Sequence, residues 1–176
     1  MKKLLLILLV SLPLLAGSLQ LQKGSIEAHT EMMMDTTIDP LNESLFAEIT
    51  MDGSNIETMA GKFWIDLNLF LSDNKDRDEH MHDALSSKKF ILTTFVISSV
   101  QKTGEADMYD IHGKLDFHGV QKDLSAKAKI TLEKDLVSFD ATSVINMPDF
   151  GVEMPCMVFM CVHDSVDLKV KATFSK

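Results

Sequence analysis

The chain has 176 residues and a formal net charge of −9 at pH 7, with 26 acidic side chains against 17 basic ones. Nucleic acids and anionic membrane surfaces are bound through basic patches, so this charge balance disfavours both as partners. The length suits one domain of ordinary size. Two cysteines, Cys156 and Cys161, are too few for a fold that depends on a disulfide scaffold.

The N-terminus has the three parts of a secretory signal peptide. Two lysines precede an apolar run over residues 4–15, and small residues follow at 16–18. The run is shorter than the ~20 residues that span a bilayer as a helix, and Ser18 stands where a lipoprotein would carry its lipidated Cys. We therefore expect a signal peptide over residues 1–18, one mature domain over residues 19–176 and export to the periplasm or beyond, without stable membrane insertion.

The mature chain begins with runs in which apolar and polar residues alternate, as in half-buried strands. The pattern predicts strands over residues 24–34 and 45–51, and Asp52-Gly53 then predicts a hairpin turn. A third strand, over residues 56–71, passes through Gly61. Its inward row is uniformly large and apolar, with Phe63, Ile65, Leu67, Leu69 and Leu71.

The second half of the chain alternates in the same way after one helical segment. A short helix is predicted within residues 73–85, because Asn74 offers an N-cap and Met81, Ala84 and Leu85 share one helical face. Strands are then predicted over residues 91–101, 107–117, 124–132, 139–147 and 166–174.

These patterns predict an all-β fold of about eight antiparallel strands with short connections and a short helix at one end. Such strands close most simply into an up-and-down barrel. At eight strands the interior is either filled by side chains or holds one slender ligand. A β-sandwich has the same periodicity and is the alternative at this point.

Four motifs follow one another in a fixed order within residues 24–174. They are Ser72-Asp73-Asn74 with Arg77-Asp78-Glu79-His80-Met81; Phe90 with Phe95 and Ser98; IHGKLDFHGV at residues 111–120; and Asp149-Phe150-Gly151-Val152. Together they resemble the YceI-like family of periplasmic lipocalin-like proteins. The resemblance implies a single eight-stranded lipocalin-like β-barrel with a helix at one end and a long apolar tunnel. It also implies a polyisoprenoid chain, a quinone tail or a fatty amide as ligand, no cofactor, and often a homodimer.

The chain departs from the family pattern at three places. Thr93-Thr94 stand where a Pro is usual before the residue matching Phe95, and Gln121 stands where a Thr is common. The segment 154–161, MPCMVFMC, is not explained by the pattern. These departures bear on the ligand rather than on the fold.

The inward rows are the predicted ligand site. From the pattern alone these rows fill a core, whereas the resemblance implies space between them. Small residues at Ala126, Ala128, Ala141 and Ser143 favour such space. The predicted tunnel lining is Phe63, Ile65, Leu67, Leu69, Phe95, Tyr109, Ile111, Leu115, Phe139, Met157 and Phe159.

The charged segment 73–83 invites a metal or acid–base interpretation through His80 and His82. The two histidines are two residues apart, not four as in zinc-binding helices, so we interpret the segment as a structural network around Arg77. The sequence contains no nucleophile elbow and no glycine-rich phosphate loop. We therefore expect a binding protein and not an enzyme.

The segment around the cysteines leaves three interpretations open. Cys156 and Cys161 form a small disulfide, or the methionines line the pocket, or the soft donors Cys156, Met157, Met160, Cys161 and His163 bind copper or haem. The principal prediction is a carrier of an isoprenoid-like or long-chain lipid. The alternative is a periplasmic protein that handles copper or haem.

Overall fold

The computed structural model describes residues 17–32, 36–157 and 160–176, and most of these residues lie in β strands. The strands, in chain order, are β1 (Gly17–Met32), β2 (Thr36–Ile38), β3 (Leu41–Asn42), β4 (Phe46–Asp52), β5 (Asn55–Asp66), β6 (Leu92–Lys102), β7 (Met108–Phe117), β8 (Val120–Glu133), β9 (Leu136–Asn146), β10 (Cys156–Met157), β11 (Met160–Cys161) and β12 (Ser165–Ser175). One α helix, α1, covers Lys75–Ala84, and single 3-10 turns cover Leu67–Leu69 and Met147–Phe150. Among the described residues, no helix combines the length and the apolarity needed to cross a membrane.

The eight long strands close into one antiparallel barrel. Each pairs with its neighbour in the order β1, β4, β5, β6, β7, β8, β9, β12, and β12 pairs back onto β1. The closing ladder runs from Gln20 opposite Ser175 to His29 opposite Asp167. A closed ring of strands is not a sandwich of two sheets, so the barrel prediction is confirmed.

The two ends of the barrel differ in their connections. At the hairpin end, short turns join β4 to β5, β6 to β7 and β8 to β9; the first contains Gly53, whose φ of 57° suits the predicted Asp-Gly turn. At the opposite end, which we call the mouth, the connection from β1 to β4 contains β2 and β3, and long connections over residues 67–91 and 147–164 carry α1, both 3-10 turns and the β10–β11 ribbon. The mouth is therefore the end of the barrel at which segments outside the eight long strands are available to form a site.

The half of the barrel nearer the hairpin end is filled. Its inward side chains are closely packed, with relative exposures of 0% for Ile130, Val137 and Phe174. Leu19, Met51, Met59, Val100 and Tyr109 complete this packed half, and each is buried. Burial of this apolar surface is the main stabilising term of the fold.

The strand predicted over residues 56–71 is too long, because β5 ends at Asp66. The Asp66 carboxylate accepts a hydrogen bond from the Asn68 backbone N–H at 2.8 Å, and this local bond turns the chain into the 3-10 segment Leu67–Leu69. Leu67 stays buried at 2% exposure, whereas Leu69 is 41% and Leu71 56% exposed. The predicted inward row therefore stops at Leu67.

Helix α1 begins with the predicted N-cap. The Asn74 side chain accepts from the Arg77 backbone N–H at 3.0 Å. The buried Asp78 carboxylate accepts from both the backbone N–H and the hydroxyl of Ser72, at 2.8 and 2.7 Å. The junction is thus fixed mainly by Asp78 and not, as predicted, by a network around Arg77, whose one ion pair among the described residues is with Asp73 at 3.5 Å.

Candidate functional site: an apolar cavity at the mouth

A cavity of about 690 Å³ occupies the mouth half of the barrel. This volume falls within the range of small-molecule binding sites. Its walls are inward side chains of the barrel strands, including Ile26, Phe63, Ile65, Phe95, Ile111, Leu115, Phe139 and Ile145. Apolar cavities of this kind favour apolar ligands over water.

The boundary between the filled half and the cavity can be followed along single strands. On β7 Tyr109 belongs to the packed half, and Ile111, the next inward residue, lines the cavity. On β9 the same change falls between Val137 and Phe139. The cavity is therefore closed at its bottom by packed side chains and extends from there to the mouth.

Seven predicted lining residues meet at the cavity: Phe63, Ile65, Leu67, Phe95, Ile111, Leu115 and Phe139. Two predicted residues do not line it. Leu69 is exposed because β5 has already ended, and Tyr109 is buried one inward position below the cavity. Phe159 and the side chain of Met157 lie outside the described residues.

Small side chains leave the space that the cavity occupies. Ala126, Ala141 and Ser143 line it, whereas Ala128 is fully buried in the packed half. At the bottom, the Phe63 ring lies 5.2 Å from the Phe139 ring centroid.

Gly113 gives the Phe95 ring its place on the wall. A Cβ at Gly113 would lie 2.4 Å from Cζ of Phe95 and 2.3 Å from the carbonyl oxygen of Val96. Only a residue without a side chain permits this close approach of β6 and β7. The packing of the Phe95 ring over Gly113 depends on the pairing of β6 with β7, which only the structure shows.

The mouth is covered by three segments of the long connections. From α1, Met81, Ala84 and Leu85 face the cavity, as the helical spacing predicted. The connection from β1 to β4 contributes Ile38 and Pro40, which the sequence patterns did not mark as lining. The connection from β9 to β12 contributes Met154, one of the methionines considered as pocket lining, together with Val152, Pro155 and Val162, which were not predicted.

The β10–β11 ribbon is held by a disulfide between Cys156 and Cys161. The Val162 N–H donates to the Pro155 carbonyl at 3.1 Å and joins the two ends of the ribbon, and the His163 N–H donates to the Glu31 carbonyl at 2.8 Å and attaches the ribbon to β1. In this form both sulfurs are bonded to each other, so neither is the thiolate that the copper or haem alternative requires. The part of the chain that the structure describes contains no group of three or more His, Cys, Asp or Glu side chains placed to hold a metal ion.

Polar groups are concentrated at the mouth. Arg77, His80 and Asp83 of α1 contribute to its lining. His82 has an architectural role, since its Nε2 lies 2.9 Å from the Phe70 carbonyl oxygen. Two hydroxyls of the cavity lining bond to the backbone, because Thr30 donates to the Ser165 carbonyl at 3.1 Å and Ser143 donates to the Ser125 carbonyl at 2.7 Å.

A charged pair ties one covering segment to β1. The Nδ1 atom of His29 is hydrogen-bonded to the carboxylate of Asp39, and its Nε2 lies 3.8 Å from Glu31. The hydrogen bond to Asp39 raises the pKa of His29 above 6.5, and the same bond lowers the pKa of Asp39 below 3.8. Asp39 stands between the lining residues Ile38 and Pro40, so this pair anchors part of the cover.

The wall is incompletely paired on one side of the cavity. The β8–β9 ladder ends at Lys127 opposite Thr142, and beyond it, toward the mouth, the strands separate. The bond from Ser143 to Ser125 closes the lower edge of this seam, and an ion pair between Lys122 and Asp149 at 3.5 Å bridges its upper edge. The cavity extends to the seam, where Leu124 and Thr142 contribute to the lining.

Comparison with known sequences identifies the family. The model of the YceI-like domain matches residues 18–174. A UPF0312 protein of Pseudomonas putida (strain GB-1) is 36% identical over 106 residues, which are 54% of this chain and 55% of that protein. One from Shewanella sp. (strain W3-18-1) is 34% identical over 91 residues, 47% of each chain. The chain thus spans about half the length of the curated relatives it matches.

Comparison with solved structures agrees on the fold. Burkholderia cenocepacia BcnA has a TM-score of 0.75 at 19% identity, covering 85% of this chain and 95% of that one. A polyisoprenoid binding domain from Saccharophagus degradans, implicated in plant cell wall breakdown, has a TM-score of 0.70 at 14% identity, covering 90% and 97%. At these identities the likeness establishes the barrel architecture. With the family model matched over nearly the whole described chain, the protein belongs to the YceI-like domain family.

Proposed function

We propose that this protein is a carrier that encloses the chain of one isoprenoid-like or long-chain amphiphilic lipid in the mouth cavity. The observation that carries the proposal is the cavity itself. Its wall is apolar, its bottom is closed by packed side chains, and its other end is the mouth, where segments of the long connections cover it. The Saccharophagus degradans neighbour, a polyisoprenoid binding domain, supports an isoprenoid as the first ligand to test.

The physical driving force is the removal of the lipid chain from water. Each buried CH2 contributes ~0.8 kcal/mol, so ten carbons supply about 8 kcal/mol before the costs of association and ordering are subtracted. This is enough for binding without a buried charge. Because the hairpin end is filled, the chain enters with its apolar end first, and the head group remains near Arg77, His80 and Asp83.

A cavity-filling substitution tests the proposal. Ala141 lines the cavity in the middle of β9, and Ala141→Phe should occupy the space of the ligand. Val144→Phe is the matched control, because Val144 is on the same strand but faces outward and is 58% exposed. Native mass spectrometry after incubation with geranylgeraniol, a prenol of about 20 carbons, measures the bound fraction.

We expect the wild type and Val144→Phe to bind the prenol and Ala141→Phe to lose at least about tenfold in affinity. A folded Ala141→Phe variant with unchanged affinity for the prenol would exclude the cavity as the binding site. Failure of the wild type to take up any prenol, quinone or long-chain amide would contradict the carrier function itself.

We propose further that the protein works outside the cytoplasm, on the basis of the signal-peptide pattern at residues 1–18. Cleavage after Ser18 would leave Leu19, which pairs with Ile49 at the start of β1, as the first residue. The mass of the protein recovered from the periplasm tests this. A mass equal to that of residues 19–176 supports export, and an uncleaved chain found only in the cytoplasm contradicts it.

A further inference from the structure

Exposed apolar side chains are concentrated in one sector of the mouth. Among the described residues, nine large apolar side chains are exposed, and seven of them lie in this sector. We call these seven the apolar patch: Leu41, Phe46, Leu69, Leu71, Ile91, Leu92 and Val96. The other two, Leu136 and Val144, both lie on β9, on the opposite side of the barrel from β5. Single exposed apolar residues need no explanation, whereas a group of them in one place marks a contact surface.

Backbone pairing makes the patch continuous along the rim of the mouth. The segment 67–71 connects Ile91 to Leu41. At one end of this segment the Leu67 N–H donates to the Ile91 carbonyl at 2.8 Å. At its other end Leu71 and Leu41 exchange two backbone hydrogen bonds, at 2.8 and 3.0 Å. Leu69 lies between these two attachments, so the four exposed side chains of the rim follow one another along a single edge.

The patch continues from the rim onto the outer wall of the barrel. The ring of Trp64, the only tryptophan of the chain, stacks on the Phe46 ring with 5.7 Å between centroids. Across the β5–β6 ladder Trp64 pairs with Thr94. Leu92 and Val96 lie on either side of Thr94 on the same face of β6. The aromatic pair and these two aliphatic side chains therefore share the outer face of β4, β5 and β6.

The patch adjoins the cavity. Leu67 and Phe70 belong to the same segment as Leu69 and Leu71, but they are buried and line the cavity. One short segment thus has one set of side chains in the cavity wall and another on the apolar patch. A surface that covers the patch lies directly beside the mouth.

We propose that the apolar patch docks on the surface of a zwitterionic phospholipid bilayer and places the mouth against it. This inference rests on the proposed carrier function, because a lipid with a long apolar chain lies in a bilayer before a carrier takes it up. Exposure of each CH2 to water opposes the transfer of such a chain. Docking shortens the path on which the chain is exposed, since the patch and the cavity meet at segment 67–71.

The side chains around the patch suit the boundary between lipid head groups and acyl chains. Tryptophan and lysine each combine an apolar body with a polar end and are favoured at this boundary. The Lys62 ammonium lies 5.0 Å from the Trp64 ring centroid, and the exposed Lys88 and Lys89 come shortly before Ile91.

The charge of the chain selects a zwitterionic surface over other occupants. The formal net charge of −9 opposes contact with an anionic membrane and also opposes the approach of a second copy. Apolar contact is therefore the force that holds the protein on the bilayer. The contact is shallow and reversible, because it is made by side chains of a folded barrel and not by an inserted helix.

Trp64 allows the docking to be measured, because the fluorescence of the chain comes from one tryptophan within the contact surface. The probes are vesicles of dioleoylphosphatidylcholine, with a brominated phosphatidylcholine as quencher, and co-sedimentation gives the bound fraction. The double variant Leu71→Glu with Leu92→Glu places two charges in the patch, at side chains that do not line the cavity. Leu136→Glu with Val144→Glu is the matched control, because it adds the same charge at exposed apolar positions outside the patch.

We expect the wild type and the control to bind the vesicles with quenching of Trp64, and the patch variant to bind at least about tenfold more weakly. A rise in salt from about 50 to 500 mM should not weaken wild-type binding, because salt screens charges and not apolar contacts. Both double variants should bind geranylgeraniol in the absence of vesicles as the wild type does, which shows that the barrel and its cavity are intact. Quenching and the salt dependence are measured on the wild type and need no variant.

A wild type that binds the prenol but not the vesicles, or equal losses in the two double variants, would overturn the docking and leave the carrier function intact. Binding that requires phosphatidylglycerol and disappears at high salt would overturn the apolar contact. A dimer in solution that dissociates in the patch variant would assign the patch to a second copy instead. A wild type that takes up no prenol, quinone or long-chain amide would remove the carrier function and this proposal with it.

Discussion

The contact of Gly113 with β6 allows a sharp prediction about the cavity wall. In Gly113→Ala the added Cβ would lie 2.3 Å from the Val96 carbonyl oxygen and 2.4 Å from Cζ of Phe95. Real Cβ contacts are not this short, so the β6–β7 ladder or the Phe95 ring must move. Overpacking of this kind typically costs about 1–3 kcal/mol. For a chain of this size, the loss corresponds to a fall in melting temperature of about 2–12 °C.

Thermal unfolding followed by circular dichroism measures this change. Gly104→Ala is the matched control, because nothing lies within 4 Å of a Cβ at Gly104. We expect the control to melt within about 2 °C of the wild type. Because the Phe95 ring lines the cavity, its displacement in Gly113→Ala should also weaken binding of the prenol. A Gly113→Ala protein with wild-type melting temperature and affinity would refute the close approach on which this reasoning depends.

Two further predictions concern the cover and the end of β5. The hydrogen bond between His29 and Asp39 raises the pKa of His29 and lowers the pKa of Asp39. Its contribution to stability is therefore fully present between about pH 3.8 and 6.5. This contribution is lost as the pH rises through the folded-state pKa of His29 or falls through the folded-state pKa of Asp39. Both side chains are more than a third exposed, so the difference in unfolding free energy between wild type and His29→Gln should stay below about 1 kcal/mol. This difference should shrink above neutral pH. A difference that grows with pH would be inconsistent with the pairing. Leu67→Ala should destabilise the protein by about 2–5 kcal/mol, whereas Leu69→Ala should change stability by less than about 0.5 kcal/mol, as urea unfolding can measure. Equal losses at the two positions would mean that the inward row continues beyond Asp66 after all.

The sequence was most informative about which side chains of each strand face the interior of the barrel. Along β7 the inward residues Tyr109, Ile111, Leu115 and Phe117 are buried, as the alternation predicted, because a strand has a strict period of two. The same rule identified seven residues that line the cavity. It could not say where along each row the interior stops being filled, and for this reason it placed Tyr109 beside Ile111 in the site.

Irregular segments were beyond the reach of periodicity. The turn at Asp66 depends on a side-chain bond to Asn68, and that bond competes with a strand pattern that looks continuous through Leu71. The covering residues Ile38, Pro40, Val152 and Val162 come from connections whose course is set by contacts distant in the chain, such as the bond from His163 to Glu31. The local spacing of apolar and polar residues in the sequence does not encode such contacts.

The sequence by itself determined the class of fold, the faces of the strands and the place of the helix, because each follows from the spacing of apolar residues and from local capping. Only the tertiary structure decided that half of the barrel is packed and half is empty. That division depends on how the sizes of side chains from different strands add up at each level of the barrel.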